Sequence, residues 1–375
     1  MVDVVVVGGG PAGCSAALTL MAAGHSVTVV STPRATKKPM ETAVPQLRHL
    51  LRSIGAEEVL TACEPCHGIE SAWEQPRPFL ISSILNPYGH AWFIHRETFD
   101  ATLRRLAIKA GSVWLEAEVS DAIFGPDRVT AFTNGEEITA HSALLATGSL
   151  AWTARVTGQT PGRLDALICY WARFDAQLTS RLLHVETSAN GWWYVCPGGI
   201  STVDVCFVTD SAVVRACDPG NANNWNVEFQ KTAISRDLSL QMSAKEINVA
   251  PLMIGSLPTR CGPSWAAAGD SAIRLDPIAS SGTATALNSG VRAARTLIDS
   301  WRGNAKSAVE YCRWGYDLWE KFATQRQQRY AALALRYPEG FWHRRVSVIT
   351  IEKDSRVEIA PPYERRLRKR SVPTP

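Results

Sequence analysis

Val4-Val5-Val6-Val7-Gly8-Gly9-Gly10-Pro11-Ala12-Gly13 lies at the start of the chain, and its reading decides the fold. The β-branched run 3–7 reads as a parallel strand buried on both faces. Residues 12–23 are rich in small residues and leucine, a helix that Gly24 stops as a C-cap would, and 26–30 reads as a second strand. Each glycine between strand and helix has its own task. Gly8 permits the tight turn, Gly10 lets backbone approach a pyrophosphate, and Gly13 lets the helix pack on the strand. Pro11 and Ala12 begin a helix whose unpaired N–H groups and dipole favour an anion. A bare GxGxxG is weak evidence, but one set between strand, helix and strand marks a dinucleotide site. The acid that usually ends the second strand, to hold the adenosine ribose, is missing: position 31 is Ser31, followed by Thr32. A hydroxyl bonds ribose less strongly than a carboxylate does, so cofactor affinity is expected to be modest.

Later segments choose the dinucleotide. Trp265-Ala266-Ala267-Ala268-Gly269-Asp270, then Leu275-Asp276-Pro277-Ile278-Ala279-Ser280-Ser281-Gly282, have the layout of a second FAD signature. In that layout a strand ends in Gly-Asp, whose acid meets the ribityl chain. The helix start Ser281-Gly282-Thr283 then faces the flavin's pyrimidine end, where the reduced ring is negative. Leu144-Leu145-Ala146-Thr147-Gly148 is a third piece, a strand entering a glycine turn beside the adenosine half. Three pieces in this order select FAD over NAD, and Val119 joins the cofactor-binding set.

Between these pieces the pattern predicts a helix over 44–55, a helix over 96–111 with an apolar stripe at Phe99, Leu103, Leu106 and Ala107, and strands over 113–119 and 142–146. Residues 167–174, 182–187, 191–195 and 202–209 read as an antiparallel meander, 282–301 as a helix and 305–335 as further helices. The expected fold is α/β: a Rossmann-type FAD-binding domain with an inserted mixed or antiparallel-sheet substrate lobe and C-terminal helices. The divisions expected are 1–155 with 262–302 for FAD, 156–261 for the lobe, 303–345 for the helices and 346–375 for a basic tail.

Composition excludes other classes. A net charge of +4 over 375 residues makes no case for nucleic acid, although Arg365, Arg366, Arg368, Lys369 and Arg370 make the tail locally basic. No apolar run reaches the length of a membrane span. The valine run has no basic leader and flows into the glycine turn, so a cytoplasmic protein is expected rather than a secreted one. Nine scattered cysteines argue against a disulfide framework, and Cys63-Glu64-Pro65-Cys66 stands alone, so loop thiols are expected there and no metal.

With these motifs in place the chain resembles the para-hydroxybenzoate-hydroxylase superfamily of flavin monooxygenases and, within it, the tryptophan-halogenase-like branch, over roughly residues 1–345. Further carriers are Glu41-Thr42, Arg96-Glu97-Thr98-Phe99-Asp100, Gly191-Trp192-Trp193-Tyr194 and Gly340-Phe341-Trp342-His343-Arg344-Arg345. The last two make it similar to small flavoproteins that hydroxylate a tryptophan in a partner enzyme's precursor and help mature tryptophylquinone cofactors. The resemblance implies that Pro277 lies near the place where oxygen reacts and that Arg96 contacts the flavin side chain and phosphates. A halogenase would be expected to carry a Trp-x-Trp-x-Ile-Pro segment and a tunnel lysine. The chain has no such segment, and 63–95 has no lysine. The Asp-Gly motif of aromatic hydroxylases likewise has no good match near 148–163.

The residues expected to act are few, since the flavin carries the chemistry. Pro277 and Trp193 are the catalytic candidates. Strand alternation sets Trp192 and Tyr194 on one side and Trp193 on the other; they either stack an aromatic substrate or pack sheet on sheet. His67, His90 and His95 border the expected site, as a general base or as structural hydrogen-bonders. One GxGxxG and no nicotinamide domain leave two electron sources, visiting NAD(P)H or a partner flavin reductase. The leading expectation is a monooxygenase acting on an aromatic small molecule or a tryptophan in a protein precursor. A halogenase, a geranylgeranyl-reductase-like enzyme and a non-enzymatic assembly factor are the alternatives.

Overall fold

In the computed structural model the described residues are 1–32, 37–178, 180–198, 201–237, 244 and 246–346; the basic positions 365–370 lie outside them. The chain begins β1 (Val2–Val7), α1 (Pro11–Ala22), β2 (Val27–Ser31), β3 (Glu41–Ala43) and α2 (Leu47–Ser53). Next come β4 (Cys63–Cys66), β5 (Gly68–Ala72), β6 (Phe79–Ser82), β7 (Ala91–Ile94) and α3 (Arg96–Lys109). Then follow β8 (Val113–Glu116), β9 (Val119–Phe124), β10 (Val129–Thr133), β11 (Glu137–Leu145) and α4 (Leu150–Val156). The middle of the chain holds β12 (Gly162–Asp175), β13 (Leu182–Ser188), β14 (Gly191–Pro197) and β15 (Thr202–Thr209). Short helices α5 (Ser211–Cys217), α6 (Ala222–Gln230) and α7 (Ala233–Asp237) follow, before β16 (Asn248–Ser256), β17 (Cys261–Gly262), β18 (Trp265–Ala267) and β19 (Ile273–Arg274). The described chain closes with α8 (Gly282–Trp301), α9 (Lys306–Arg336) and α10 (His343–Val346).

Two large sheets organise these elements. The first runs β17-β18-β11-β1-β2-β8, parallel from β18 to β8, with the β9–β10 hairpin attached to β11. Val4, Val5 and Val6 are fully buried at its centre, as a strand covered on both faces requires. The small residues of α1 are there because α8 crosses it closely: a Cβ on Gly290 would lie 2.2 Å from the Ala12 carbonyl oxygen. The second sheet runs β19-β16-β12-β15-β14-β13-β5-β6, antiparallel except where β13 meets β5. A small β3-β7-β4 sheet takes its strands from either side of β5 and β6 in the chain.

Side-chain alternation gives the second sheet two apolar faces. Trp193, Val205 and Phe207 pack under Trp225 and Phe229 of α6. On the opposite face Cys169, Trp192, Cys206 and Val208 pack with Phe322, Tyr330 and Leu333 of α9 and with Phe341 and Trp342.

Several sequence expectations change. The strand expected over 113–119 is two strands, because the chain leaves β2 at Ala117, whose N–H donates to the Ser31 carbonyl, and pairs with β10 from Val119 on. Residues 68–82, which the sequence assigned to the FAD half, instead put β5 and β6 into the second sheet. The C-terminal helices expected over 305–335 are one helix of 31 residues. Cys63 and Cys66 stand on a strand rather than in a loop. Burial pushes the Cys63 thiol up to about 12 and raises that of Cys66, so both stay protonated. Among the described residues no His, Cys, Asp or Glu cluster could hold a metal ion.

Candidate flavin site

The C-terminal ends of β1, β11 and β18 meet at one edge of the first sheet, and each ends in a glycine turn. At the first turn Gly8 has φ +110°, and a Cβ there would sit 2.1 Å from the Ala146 carbonyl oxygen. A Cβ on Gly13 would lie 1.9 Å from the Gly8 carbonyl oxygen. Neither position accepts a side chain. At Gly10, by contrast, a Cβ would meet nothing within 4 Å, so this glycine borders open space. Helix α1 starts there with no side-chain cap, Pro11 in its first turn and no acid, leaving its N–H groups for an anion.

The second and third turns are stitched together by a residue that the sequence reading missed. Ser271 Oγ accepts from the Gly148 N–H at 2.9 Å and lies 3.1 Å from Thr147 Oγ1, while Gly148 takes φ +70°. Gly269, at φ +63°, donates its N–H to Ser289 Oγ of α8 at 2.8 Å. Asp270 between them is partly exposed; burial raises its pKa, and Arg274 Nε, 3.4 Å away, opposes that rise. Helix α8 also starts without a side-chain cap or an acid, at Ser281, Gly282 and Thr283.

Ser31 ends β2 as expected. In register with it on β8 stands Glu116, which Arg104 pairs at 2.5 Å. The carboxylate absent from position 31 is thus one strand away. Beside it the Trp114 indole covers Gly9: a Cβ on Gly9 would come within 2.5 Å of the ring. Trp114 Nε1 is buried with no hydrogen-bond partner, a donor that a nucleoside oxygen or nitrogen would satisfy. The open space at Gly10, two uncapped helix starts and this orphaned donor together fit an adenine dinucleotide. Val119 packs with Val7 and Val30 in the core behind these turns.

Arg96 is neither open nor a surface charge. Its guanidinium donates to Glu41 Oε1 at 2.6 Å and to Asp100 at 3.1 and 2.9 Å. Burial alone would lower its pKa, but Glu41 and Asp100 raise it, so it stays charged. Glu41 Oε2 accepts from Thr283 Oγ1 at 2.9 Å, and Thr42 Oγ1 donates to Ser280 Oγ at 3.0 Å. The start of α3, strand β3 and the start of α8 are thereby fixed to one another. Ser280, at φ +46°, is in the left-handed region that favours glycine, which shows how tightly the turn after Pro277 is held.

That turn has a second anchor. Asp276 is 1% exposed; its Oδ1 accepts from the Ile278 N–H, and its Oδ2 from Arg326 Nε and the Tyr330 hydroxyl, both at 2.7 Å. Arg326 also pairs with Asp165, which accepts from Arg345 Nε at 2.7 Å, and Arg345 reaches Asp210 at 2.8 Å. The Gly340–Arg345 motif thus acts from a distance, bracing the Asp-Pro turn through α9.

Trp193 requires a correction. It is 1% exposed and stacks on Phe207 at 4.3 Å, with Trp225 and Phe229 at 5.3 and 5.4 Å. It therefore lies on the α6 face, away from Pro277. Trp192 and Tyr194 occupy the other face, in the cluster that includes Leu275, Ile278 and Ala279. Of the three histidines, His95 lies at the start of α3, 3.5 Å from Glu64, with its pKa lowered by burial and by Arg173. His67 and His90 stand together, ring centroids 5.7 Å apart.

The three glycine turns at the C-terminal ends of β1, β11 and β18 define an FAD-binding oxidoreductase. The chain belongs to the pyridine nucleotide-disulphide oxidoreductase family, which it matches over residues 2–199. It is similar to the putative FAD-dependent oxidoreductase LodB of Marinomonas mediterranea, with 24% identity over 373 residues, 92% of this chain and 96% of the relative. Its fold is that of the flavin-dependent halogenase CmlS, with TM-score 0.80, 24% identity, and 92% of this chain and 67% of that one covered. It is also that of the peptidyl tryptophan dihydroxylase QhpG, with TM-score 0.75, 21% identity, and 92% and 78% covered. The likeness to halogenase-like flavoproteins expected from the sequence is met in the fold. Among the described residues no helix is long and apolar enough to cross a membrane.

Proposed function

We propose that the protein is an FAD-dependent monooxygenase that hydroxylates an aromatic, tryptophan-like group, either free or within a protein precursor. The observation that carries this reading is the aromatic face next to the Pro277 turn. There Trp192 and Tyr194 share one cluster with Ile278 and Ala279, and Trp73 and Trp342 extend it, with ring centroids 6.0 Å from Trp73 to Trp192 and 5.6 Å from Trp73 to Trp342. Trp192, Trp73 and Trp342 are buried, so they would form a dry aromatic wall behind a planar apolar substrate that meets the partly exposed Tyr194, Ile278 and Ala279. QhpG, a peptidyl tryptophan dihydroxylase, shares the fold.

Bound FAD would supply the oxygen chemistry. In this reading Gly8, Gly10, Pro11, Ala12 and Gly13 receive the pyrophosphate, Ser31 lies by the ribose, and Gly148 borders the adenosine half. Asp270 faces the ribityl chain; Ser281, Gly282 and Thr283 present N–H groups to the pyrimidine edge. Arg96, held by Glu41, positions the start of α8, and Asp276 fixes Pro277 at the reacting face. The first sheet is the cofactor half in this reading, and 156–261, joined by 68–82 and 273–274, furnishes the sheet of the substrate half. Electrons come from visiting NAD(P)H or from a partner flavin reductase.

One observation favours a halogenase instead. Lys321 of α9 lines a recess of about 270 Å³ with Leu275, Ile278, Ala279 and Ser281. The deciding experiment supplies reduced flavin, oxygen and bromide to the protein with tryptophan, indole and tryptophan-bearing peptides, and weighs the products. Added oxygen supports the hydroxylase, added bromine replaces it with the halogenase, and unmodified substrates under all conditions reject both.

A further inference from the structure

Away from the glycine turns, Cys261 on β17 and Cys312 on α9 bring their sulfurs 3.6 Å apart across 51 residues of chain. Cys261 is buried at the edge of the first sheet, whereas Cys312 is partly exposed. Arg260 lies against both. Arg260 is 3% exposed, and among the described residues its guanidinium hydrogen-bonds only neutral oxygens, Cys312 O at 3.3 Å and Ser256 Oγ at 2.6 Å. Its Nε is buried with no partner. The ionisable groups facing it are Tyr311, Cys312 and Cys261, none of them a carboxylate. A buried cation without an anion is costly, and a Cys312 thiolate is the counter-charge this surrounding can form. The contact with the Cys261 sulfur holds the Cys312 thiol well below the usual thiol range, with Arg260 adding to the effect, while the same contact and burial push Cys261 up.

We propose that Cys261 and Cys312 form a redox pair that closes to an intramolecular disulfide when the protein meets hydrogen peroxide. The Cys312 thiolate attacks a peroxide oxygen, the O–O bond breaks, and Cys312 sulfenic acid and hydroxide result. Hydroxide takes the Cys261 proton, giving water. The Cys261 sulfur then attacks the Cys312 sulfur, and the S–O bond breaks to release hydroxide, which a solvent proton converts to water. In sum two thiols lose two electrons and two protons, and one peroxide becomes two waters. The proton taken from solvent balances the one lost when the thiolate formed. The sulfurs move together from van der Waals contact to a bond of about 2.05 Å. Of the other seven cysteines, Cys14, Cys63, Cys66, Cys196 and Cys206 compete poorly, their thiols pushed up chiefly by burial. The inference stands on the sulfur pair and Arg260, whatever the flavin does.

The test treats the full-length, FAD-loaded protein with equimolar hydrogen peroxide, blocks free thiols and maps peptides without reduction. The expected result is a Cys261–Cys312 disulfide peptide, the loss of two of the nine thiols, and their recovery with dithiothreitol. Cys261→Ser is expected to stop at a Cys312 sulfenic acid that a cyclic dicarbonyl probe captures, and Cys312→Ser to yield neither product. Wild-type protein in which Cys312 stays reduced while other cysteines oxidise, or in which it over-oxidises without joining Cys261, overturns the proposal. That reading needs no variant to fold.

Discussion

Gly10 and Gly13 lie three positions apart and separate two demands of one turn. An added carbon at Gly13 meets the Gly8 carbonyl, whereas at Gly10, with φ −78°, it meets nothing. Gly13→Ala is expected to destabilise the fold by about 3 kcal/mol, the scale of an overpacked core, and to yield protein without flavin. Gly10→Ala is expected to leave the melting temperature of the flavin-free protein nearly unchanged while weakening FAD binding at least ~10-fold, since its methyl enters the space before α1. Flavin fluorescence titration and thermal melts of both variants check this; equal effects in the two would refute the division. Glu116→Ala, by the same titration, is expected to cost about 2 kcal/mol of FAD affinity, the worth of one charge-assisted hydrogen bond. The glycines were legible in the sequence because their constraint is local. Glu116 was not, because only the register of β8 against β2 brings it beside Ser31. Likewise, alternation separated Trp193 from Trp192 and Tyr194, but which side faces Pro277 depends on where α6 and α9 pack.

At the level of elements, the C-terminal helices hold the Asp-Pro turn by charge. Asp276→Asn leaves Arg326 buried with one partner fewer and is expected to cost about 3 kcal/mol of stability, measured by urea unfolding. It should also lower flavin retention, while an exposed α9 change such as Glu320→Gln does neither. Asp210 gives a pH dependence. Burial would raise its pKa, but hydrogen bonds from Arg344, Arg345 and the Val213 N–H outweigh burial and hold it below the ordinary aspartate range. Its contribution is therefore present above the unfolded value, about 3.9, and is lost as pH falls through the lower folded value. Wild-type protein is expected to lose more melting temperature between pH 7 and pH 3 than Asp210→Asn does; a parallel loss would show that the α10 contact is not charge-linked. The helices 96–109 and 282–301 followed from periodicity and glycine punctuation. The break after Glu116 and the continuity of α9 did not, since strand exchange and helix length there are decided by tertiary partners.

The whole molecule is expected to unfold as one unit. Tyr311 of α9 donates to the Ala267 carbonyl in the first sheet at 2.6 Å, and Phe322 and Tyr330 of the same helix lie in the core of the second. Intrinsic tryptophan fluorescence, far-ultraviolet circular dichroism and flavin release should therefore share one denaturation midpoint, the mark of a two-state transition. A first transition that frees flavin with the tryptophan signal intact would show instead that the halves melt separately. The alternation of element types made the two-sheet α/β plan readable, but the entry of β5 and β6 into the far sheet was not, because β13, the strand that takes β5 and through it β6, lies more than a hundred residues beyond β5. That excursion bears on how such a protein can be altered. The second sheet is supplied by 68–82, by the run 162–256 and again by 273–274. No single cut in the chain therefore lifts it out as an exchangeable cassette. New substrates are more readily reached by changing side chains on its Trp192 face than by grafting a lobe from a relative.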